Sequence, residues 1–325
     1  MKDISIGSAE TSGPGKARGW LKLADYPDGR PMQTPVAIVT GARDGPTLWI
    51  HACVHCNEYC GTKIVHGLLR ALDPNALAGR IVALPALNIT AFRRNQRMSP
   101  FEGYGGGDMN RAFPGVVDGS LTQQMAFQVY RELRAHADYL VDFHTAHTAD
   151  VRWAIYAAIN DEVAEPGAAI ARAWGYHDTL AAPKGMLVGS AMMTAAGDGI
   201  PAFIVEAGGK FQAFDPEAVN DGVERFHNVL RALGMLEGAV TDHGEIANFA
   251  DFAWVHAGRG GLFRPAVRCG DRLETGTVLG TYFNLYGEED GEATSPQPGT
   301  VLAIHPGPIM VNGETLVHIG LKNAR

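Results

Sequence analysis

Between residues 40 and 235 short apolar runs alternate with amphipathic segments, and this alternation restricts the fold more than any other feature of the chain. Residues 47–54 form a short apolar run between Gly45-Pro46 and a polar stretch, which reads as a buried strand. Ile64, Val65, Leu68, Leu69 and Leu72 then recur at helical spacing until Asp73-Pro74 stops the helix. Residues 80–87, 139–145, 151–158 and 201–207 read as further strands. Helical segments separate them: one with Met125, Val129 and Leu133 on a face, one over residues 162–174 that leads through a Gly-rich stretch to the strand at 201, and one opening at Asp215-Pro216. There a carboxylate can cap the helix and proline fills its first position. Val219, Val223, Phe226, Leu230 and Leu233 are expected on its buried face. Strands alternating with helices predict an α/β sheet covered by helices on both faces.

The texture changes near residue 245. From Trp254 onward short apolar segments are separated by turn signals such as Cys269-Gly-Asp271, Thr275-Gly276, Pro298-Gly299 and Asn312-Gly313, with no helical period. The expected division is an α/β domain over residues 1–248 and a small all-β domain over 249–325. A weak echo between the segments starting at Phe263 and at Ile304 suits a barrel-sandwich of the lipoyl-like kind. No carrier lysine is evident in it, so an accessory or oligomerisation element is expected, and a homo-oligomer stays open.

A net charge of −8 without any Lys/Arg run argues against a nucleic-acid partner. No apolar run reaches the length needed to span a bilayer, so no membrane association is expected. The chain before Thr47 reads as a loose N-terminal stretch, and its first residues, 1–15, are polar and lack the apolar core of a signal peptide; the expected location is the cytoplasm. Four cysteines are too few for a disulfide scaffold, although Cys53, Cys56 and Cys60 lie within eight residues. No second cysteine pair stands at zinc-knuckle spacing, and these thiols are expected to be small packing residues.

His55 and Glu58 fall where the first strand ends and its helix begins, the end of a strand at which α/β sheets place their sites. A His and a Glu three apart across that turn can point at one ion. Zinc in a catalytic site takes three protein ligands and leaves a position for water. His144, at the end of the strand over 139–145, is the natural third ligand, with Asp142 placed to orient a ligand from behind. His51 is expected to pack or support, His66 is a further candidate ligand, and His147 is expected to line the site.

Residues 88–115 are rich in Arg, Gly, Asn and Pro and read as a long loop, a kind usually functional in compact domains. It carries Arg97 and the run Asp108-Met-Asn-Arg-Ala-Phe-Pro-Gly115, whose guanidinium donors can grip a carboxylate. Glu206 ends an apolar strand, where a carboxylate is either salt-bridged to a neighbouring arginine or a general base.

In these four features, His55-x-x-Glu58, the loop from Asp108 to Gly115, His144 after Asp142, and Glu206 in Ile-Val-Glu-Ala-Gly-Gly, the sequence resembles the succinylglutamate desuccinylase/aspartoacylase family. The resemblance runs in order from about residue 40 to 235, and the C-terminal β segment also looks like that of the family. It implies a zinc-carboxypeptidase-like mixed sheet and zinc as cofactor, with His55, Glu58 and His144 as ligands. It implies Glu206 as the base that activates water, Arg97 as the arginine that polarises the scissile carbonyl, and Asn110 with Arg111 as the holders of a substrate carboxylate. Relatives usually have glycine where Cys56 stands.

The expected activity is therefore hydrolysis of the amide bond in a small N-acyl amino acid carrying a carboxylate. A metallocarboxypeptidase or an esterase on the same site is the nearer rival, and a non-catalytic metal-binding protein the more distant one. The acyl group and the amine depend on the surroundings of Arg97, Gly105 to Gly107, and residues 187–194.

Overall fold

Central strands that carry apolar side chains on alternate residues to both faces call for helices on both sides of the sheet. The computed structural model, which describes residues 3–102, 106–145, 152–208, 215–305 and 307–322, has that layering. A hairpin of β1 (Ile4–Ile6) and β2 (Ala9–Thr11) leads into β3 (Gly15–Asp25), β4 (Pro31–Thr40) and β5 (Arg43–Ala52). Then come α1 (Cys60–Ala71), β6 (Ala78–Leu84), the short α2 (Ile89–Phe92), α3 (Leu121–His136), β7 (Tyr139–His144) and β8 (Arg152–Ala157). Next are α4 (Asp161–Trp174), β9 (Asp178–Ala182), α5 (Ala191–Gly197), β10 (Ala202–Ala207), α6 (Pro216–Ala232) and β11 (Ala247–Phe249). Nine of these strands form one mixed sheet in the order β11-β9-β8-β10-β7-β5-β6-β4-β3.

The two faces of the sheet are read directly from strand alternation. Leu48, Ile50 and Ala52 of β5, with Val141 and Phe143 of β7, pack against α1, α4 and α6. Trp49 and Leu140 point the other way, toward α3 and α5. Phe143, Trp174 and Phe226 form the aromatic centre of the first layer, with ring centroids 5.6 to 6.3 Å apart. At Gly61 an added Cβ would meet the Phe143 Cβ at 2.4 Å, so only glycine lets α1 begin this close to β7. Asp215 caps α6 by accepting from the Glu217 and Ala218 N–H groups, and Pro216 is its first helical residue. Of the face expected to be buried, Phe226 and Leu230 are buried, whereas Val219, Val223 and Leu233 are half-buried.

The chain passes at Ala250 from the large sheet to two four-stranded sheets. Their strands are β12 (Asp251–His256), β13 (Gly261–Pro265), β14 (Arg272–Leu273), β15 (Val278–Phe283), β16 (Glu289–Thr294), β17 (Gly299–Ile304), β18 (Ile309–Met310) and β19 (Thr315–Leu321). One sheet has the order β12-β19-β17-β14 and the other β16-β15-β13-β18. Both echoing segments contribute to the second sheet, through the end of β13 and through β18. Phe249, Leu302 and Ala303 join the core layer that lies under α3 and α5, so the C-terminal sheets pack on that side.

Three expectations are corrected. The N-terminal stretch is not loose but builds β1 to β4. Because β3 is an edge strand with alternate residues exposed, its lysines and arginine mask the apolar period. The stretch between α4 and β10 contains β9 and α5, each too short to show a period. The long loop is interrupted by α2 and by a turn of 3₁₀ helix over Met109–Arg111. Among the described residues no helix is long and apolar enough to cross a membrane.

Removing the fully buried ring at the centre of the first layer should be costly. Phe226→Ala is expected to lower unfolding free energy by about 3–5 kcal/mol, as a urea titration followed by circular dichroism would show.

Candidate active site

β5 runs parallel to both of its neighbours, β6 on one side and β7 on the other, and the chain leaves its carboxyl end toward α1 and β6 before returning to β7. Such a switch point opens a crevice at the carboxyl ends of the strands. His55 and Glu58 occupy the turn between β5 and α1, and His144 is the last residue of β7. Glu206, near the end of β10, is in register with His144 on one side and with Trp153 of β8 on the other. Residues in register on paired strands share a face, so Glu206 and His144 project to the same side.

His55, Glu58 and His144 come together there, all buried, with candidate ligand atoms within 4.8 Å of one another. The His55 Nδ1 lies 3.1 Å from Glu58 Oε1, and the His144 Nδ1 lies 3.0 Å from Glu58 Oε2. The Nδ1 of His55 is buried without a hydrogen-bond partner. Its Nε2 instead donates to Asp108 Oδ1 at 2.9 Å, which fixes the tautomer that leaves Nδ1 with a lone pair for a metal. Two imidazole nitrogens and one carboxylate are the donor set of a catalytic zinc site with a position left for water. The residues present therefore fit zinc.

Electrostatics point the same way. Burial alone would raise the Glu58 pKa, but His55 and His144 beside it hold the carboxyl well below its usual range. The Thr145 N–H (3.0 Å to Oε2) and the Arg97 guanidinium (2.9 Å to Oε1) also donate to this carboxylate. His144 shows the converse: burial would lower its pKa, but Asp142 and Glu58 push it well above the usual histidine range. A proton between His144 Nδ1 and Glu58 thus occupies the kind of position that a metal ion takes over. Asp142 Oδ1 lies 3.2 Å from His144 Nε2 and 3.0 Å from His51 Nε2, all three residues buried. His51 thus supports the site from behind. His66 lies on α1 away from the cleft, and His147 falls outside the described residues.

The cysteines pack. The Cys56 thiol donates to the carbonyls of Cys53 (2.7 Å) and Asn88 (3.1 Å), and burial, reinforced by Cys53, pushes its pKa well up so that it keeps the proton it donates. Cys53 holds a left-handed backbone (φ 58°), so the turn that presents His55 is tied to the loop at Asn88 through a side chain that glycine would lack.

A cleft of about 690 Å³ opens over these residues. Arg97, Asp108, Asn110, Arg111, Leu187 and Glu206 line it along with His55, Glu58 and His144. Arg111 is exposed and donates to the Asn110 carbonyl at 2.7 Å. Asn110 is 4% exposed; its amide nitrogen lies 3.2 Å from His144 Nε2, and its amide oxygen accepts the Ala191 N–H. Through that oxygen it anchors α5, and it faces the cleft beside His144. Two elements escape sequence reasoning. Asp108 stands in the quoted loop motif, but nothing local reveals that it holds His55. The far wall, with Phe252, Trp254, His305, Glu314 and His318, comes from the C-terminal sheets, far from the motifs in sequence.

The pattern of the succinylglutamate desuccinylase/aspartoacylase catalytic domain matches residues 44–233. The chain is 26% identical over 317 residues to the N-alpha-acetyl-L-2,4-diaminobutyric acid deacetylase of Halomonas elongata, covering 94% of this chain and 91% of that protein. The fold is similar to that of a crystal structure of succinylglutamate desuccinylase/aspartoacylase from Rhodobacter sphaeroides, with a TM-score of 0.81, 25% identity and 96% of each chain covered. It is also similar to the product-bound ectoine utilization protein EutE (DoeB) from Ruegeria pomeroyi, with a TM-score of 0.84, 24% identity, and 95% and 96% of the two chains covered.

A zinc ion held here would displace the proton that Asp142 and Glu58 stabilise on His144. Its affinity should therefore weaken as pH falls, by about tenfold per unit below the raised His144 pKa. Competition with a chromogenic chelator between pH 5.5 and 8 would measure this, and His144→Ala should abolish stoichiometric binding.

Proposed function

Because the chain belongs to the succinylglutamate desuccinylase/aspartoacylase family, we propose that it is a zinc-dependent hydrolase that cleaves the amide bond of a small N-acyl amino acid. The observation that carries this reading is the buried His55, Glu58 and His144 group lying beside Glu206 at the floor of one cleft. His55, Glu58 and His144 would hold the ion. Bound there, zinc supplies Lewis acidity, lowering the pKa of water toward about 7 and polarising a carbonyl.

The chain's own residues complete the chemistry. Glu206 takes the proton from the attacking water and passes it to the departing nitrogen as the carbon–nitrogen bond breaks, leaving a carboxylate and an amine. Arg97 donates to the carbonyl oxygen as negative charge gathers on it, an interaction that strengthens toward the transition state. For this it must turn from Glu58, and an ion on Glu58 would release it. Arg111, exposed at the cleft with Asn110 beside it, holds the substrate carboxylate through paired donors. The Halomonas deacetylase, whose name specifies an N-acetyl amino acid, supports the amide over the ester as substrate.

A carboxypeptidase on the same residues needs room for a chain running away from the scissile bond. The wall contributed by β12, β17 and β19 borders the cleft and favours small substrates.

Glu206→Gln should lower kcat for a responsive N-acyl amino acid by about 10²-fold or more while zinc content is unchanged. Full activity in that variant would overturn the mechanism. Arg111→Ala should act mainly through a raised KM for substrates bearing a carboxylate. Rapid release of C-terminal residues from a decapeptide, followed by mass spectrometry, would favour the carboxypeptidase reading instead.

A further inference from the structure

Away from the hydrolytic residues the cleft turns apolar. Glu206 is in register with Trp153 of β8, and two residues back along the same strands Ile204 is in register with Ile155. Residues two apart on a strand share a face, so the floor at Glu206 continues as Trp153, Ile204 and Ile155, all of which line the cleft. From the C-terminal sheets Ala303 lines it as a member of the same apolar cluster, with Phe252 packed against that cluster. The polar pair on that side, His305 and Glu314, lie 3.0 Å apart and satisfy each other. Leu187 also packs against the cluster and lines the cleft, and its backbone is left-handed (φ 51°), a conformation that side chains like leucine rarely adopt. The turn that holds it is fastened to the segment carrying Arg111. The Phe113 N–H donates to the Gly189 carbonyl at 3.0 Å, and a Cβ at Gly189 would meet the Arg111 carbonyl oxygen at 2.4 Å. Backbone strain of this kind persists where the surroundings enforce it, commonly at functional sites.

We propose that Leu187, with Trp153, Ile155, Ile204 and Phe252, forms an apolar chamber that takes a large apolar side chain of the substrate. A concave surface lined by aliphatic and aromatic groups binds by removing apolar ligand surface from water, while a few polar groups at one end fix the orientation. The chamber begins at Leu187, whose turn is fastened to the Arg111 segment. The apolar group therefore belongs to the half of the substrate that bears the carboxylate. In an N-acyl amino acid that half is the amino acid, not the acyl group. The substrate class is thus an Nα-acylated amino acid with a bulky uncharged side chain, such as that of leucine, methionine or phenylalanine. This assignment rests on the hydrolase reading, with Arg111 as the holder of the carboxylate, whereas the chamber itself rests on the lining of the cleft.

The test measures kcat/KM for the Nα-acetyl derivatives of leucine, phenylalanine, glycine and 2,4-diaminobutyrate, and for Nα-hexanoylglycine. The leucine or the phenylalanine derivative should exceed those of glycine and diaminobutyrate by about tenfold or more, the discrimination that a few methylenes give in an apolar pocket. Leu187→Gly, which suits the left-handed backbone, should lower the leucine-to-glycine ratio severalfold, and Leu187→Met should keep most of it. A glycine or diaminobutyrate derivative turned over as well as the apolar ones overturns the proposal. So does a preference carried by the acyl chain alone, with Nα-hexanoylglycine favoured and the leucine derivative not. A Leu187→Gly variant that lowers all substrates equally also overturns it, since Leu187 would then only brace its turn. If no N-acyl amino acid is hydrolysed, the hydrolase reading fails and calorimetry with Nα-acetylleucine and Nα-acetylglycine decides the chamber. Binding of the leucine compound that is tighter by about tenfold or more upholds it. Equal binding, or none, overturns it.

Discussion

A carboxylate taken out of water costs several kcal/mol unless charges and hydrogen bonds replace its hydration. Glu58, 4% exposed, has both oxygens ringed by His55, His144, Arg97 and the Thr145 N–H. Those groups arrive on three elements: the turn after β5, the end of β7, and the loop over residues 88–115. Placing them around one anion requires β5 and β7 to be neighbours, α1 to start at Gly61 against Phe143, and the loop to fold back over the turn. The sheet order around the switch point can thus be understood as the geometry that lets one buried charge be satisfied.

The compensation extends outward. His55 and His144 each present one nitrogen to Glu58, and their other nitrogens face Asp108 and Asp142, carboxyls that these contacts hold well below their usual pKa range. Acid and base alternate from His51 through Asp142, His144, Glu58 and His55 to Asp108. Such contacts fix tautomers and ring orientations, the role that carboxylates behind metal-binding histidines commonly play.

Much of this was legible in the sequence because it is local. The apolar run before His55, the helical period after Glu58, the strand ending at His144 and the capped start of α6 are each specified within a dozen residues, and β5, α1, β7 and α6 appear where those signals lie. What escaped depends on partners distant in the chain. The edge strand β3 shows its apolar side only once β4 lies beside it. Asp108 acquires meaning through a histidine 53 residues earlier. The glycine expected at Cys56 is replaced by a thiol whose two acceptors are backbone carbonyls, groups that no sequence pattern marks.

The cleft also has a history in time. Its floor is encoded before residue 207, but its far wall arrives only with residues 252–318, about 200 positions after Glu58. Domains generally fold as units, the N-terminal one first as the chain is synthesised. His55, Glu58, His144 and Glu206 are therefore synthesised before the residues of the far wall exist. Because Phe249, Leu302 and Ala303 belong to the same core layer as Trp49 and Leu140, the late segment docks onto a surface already waiting for it. The far wall of the cleft is thus made after its floor.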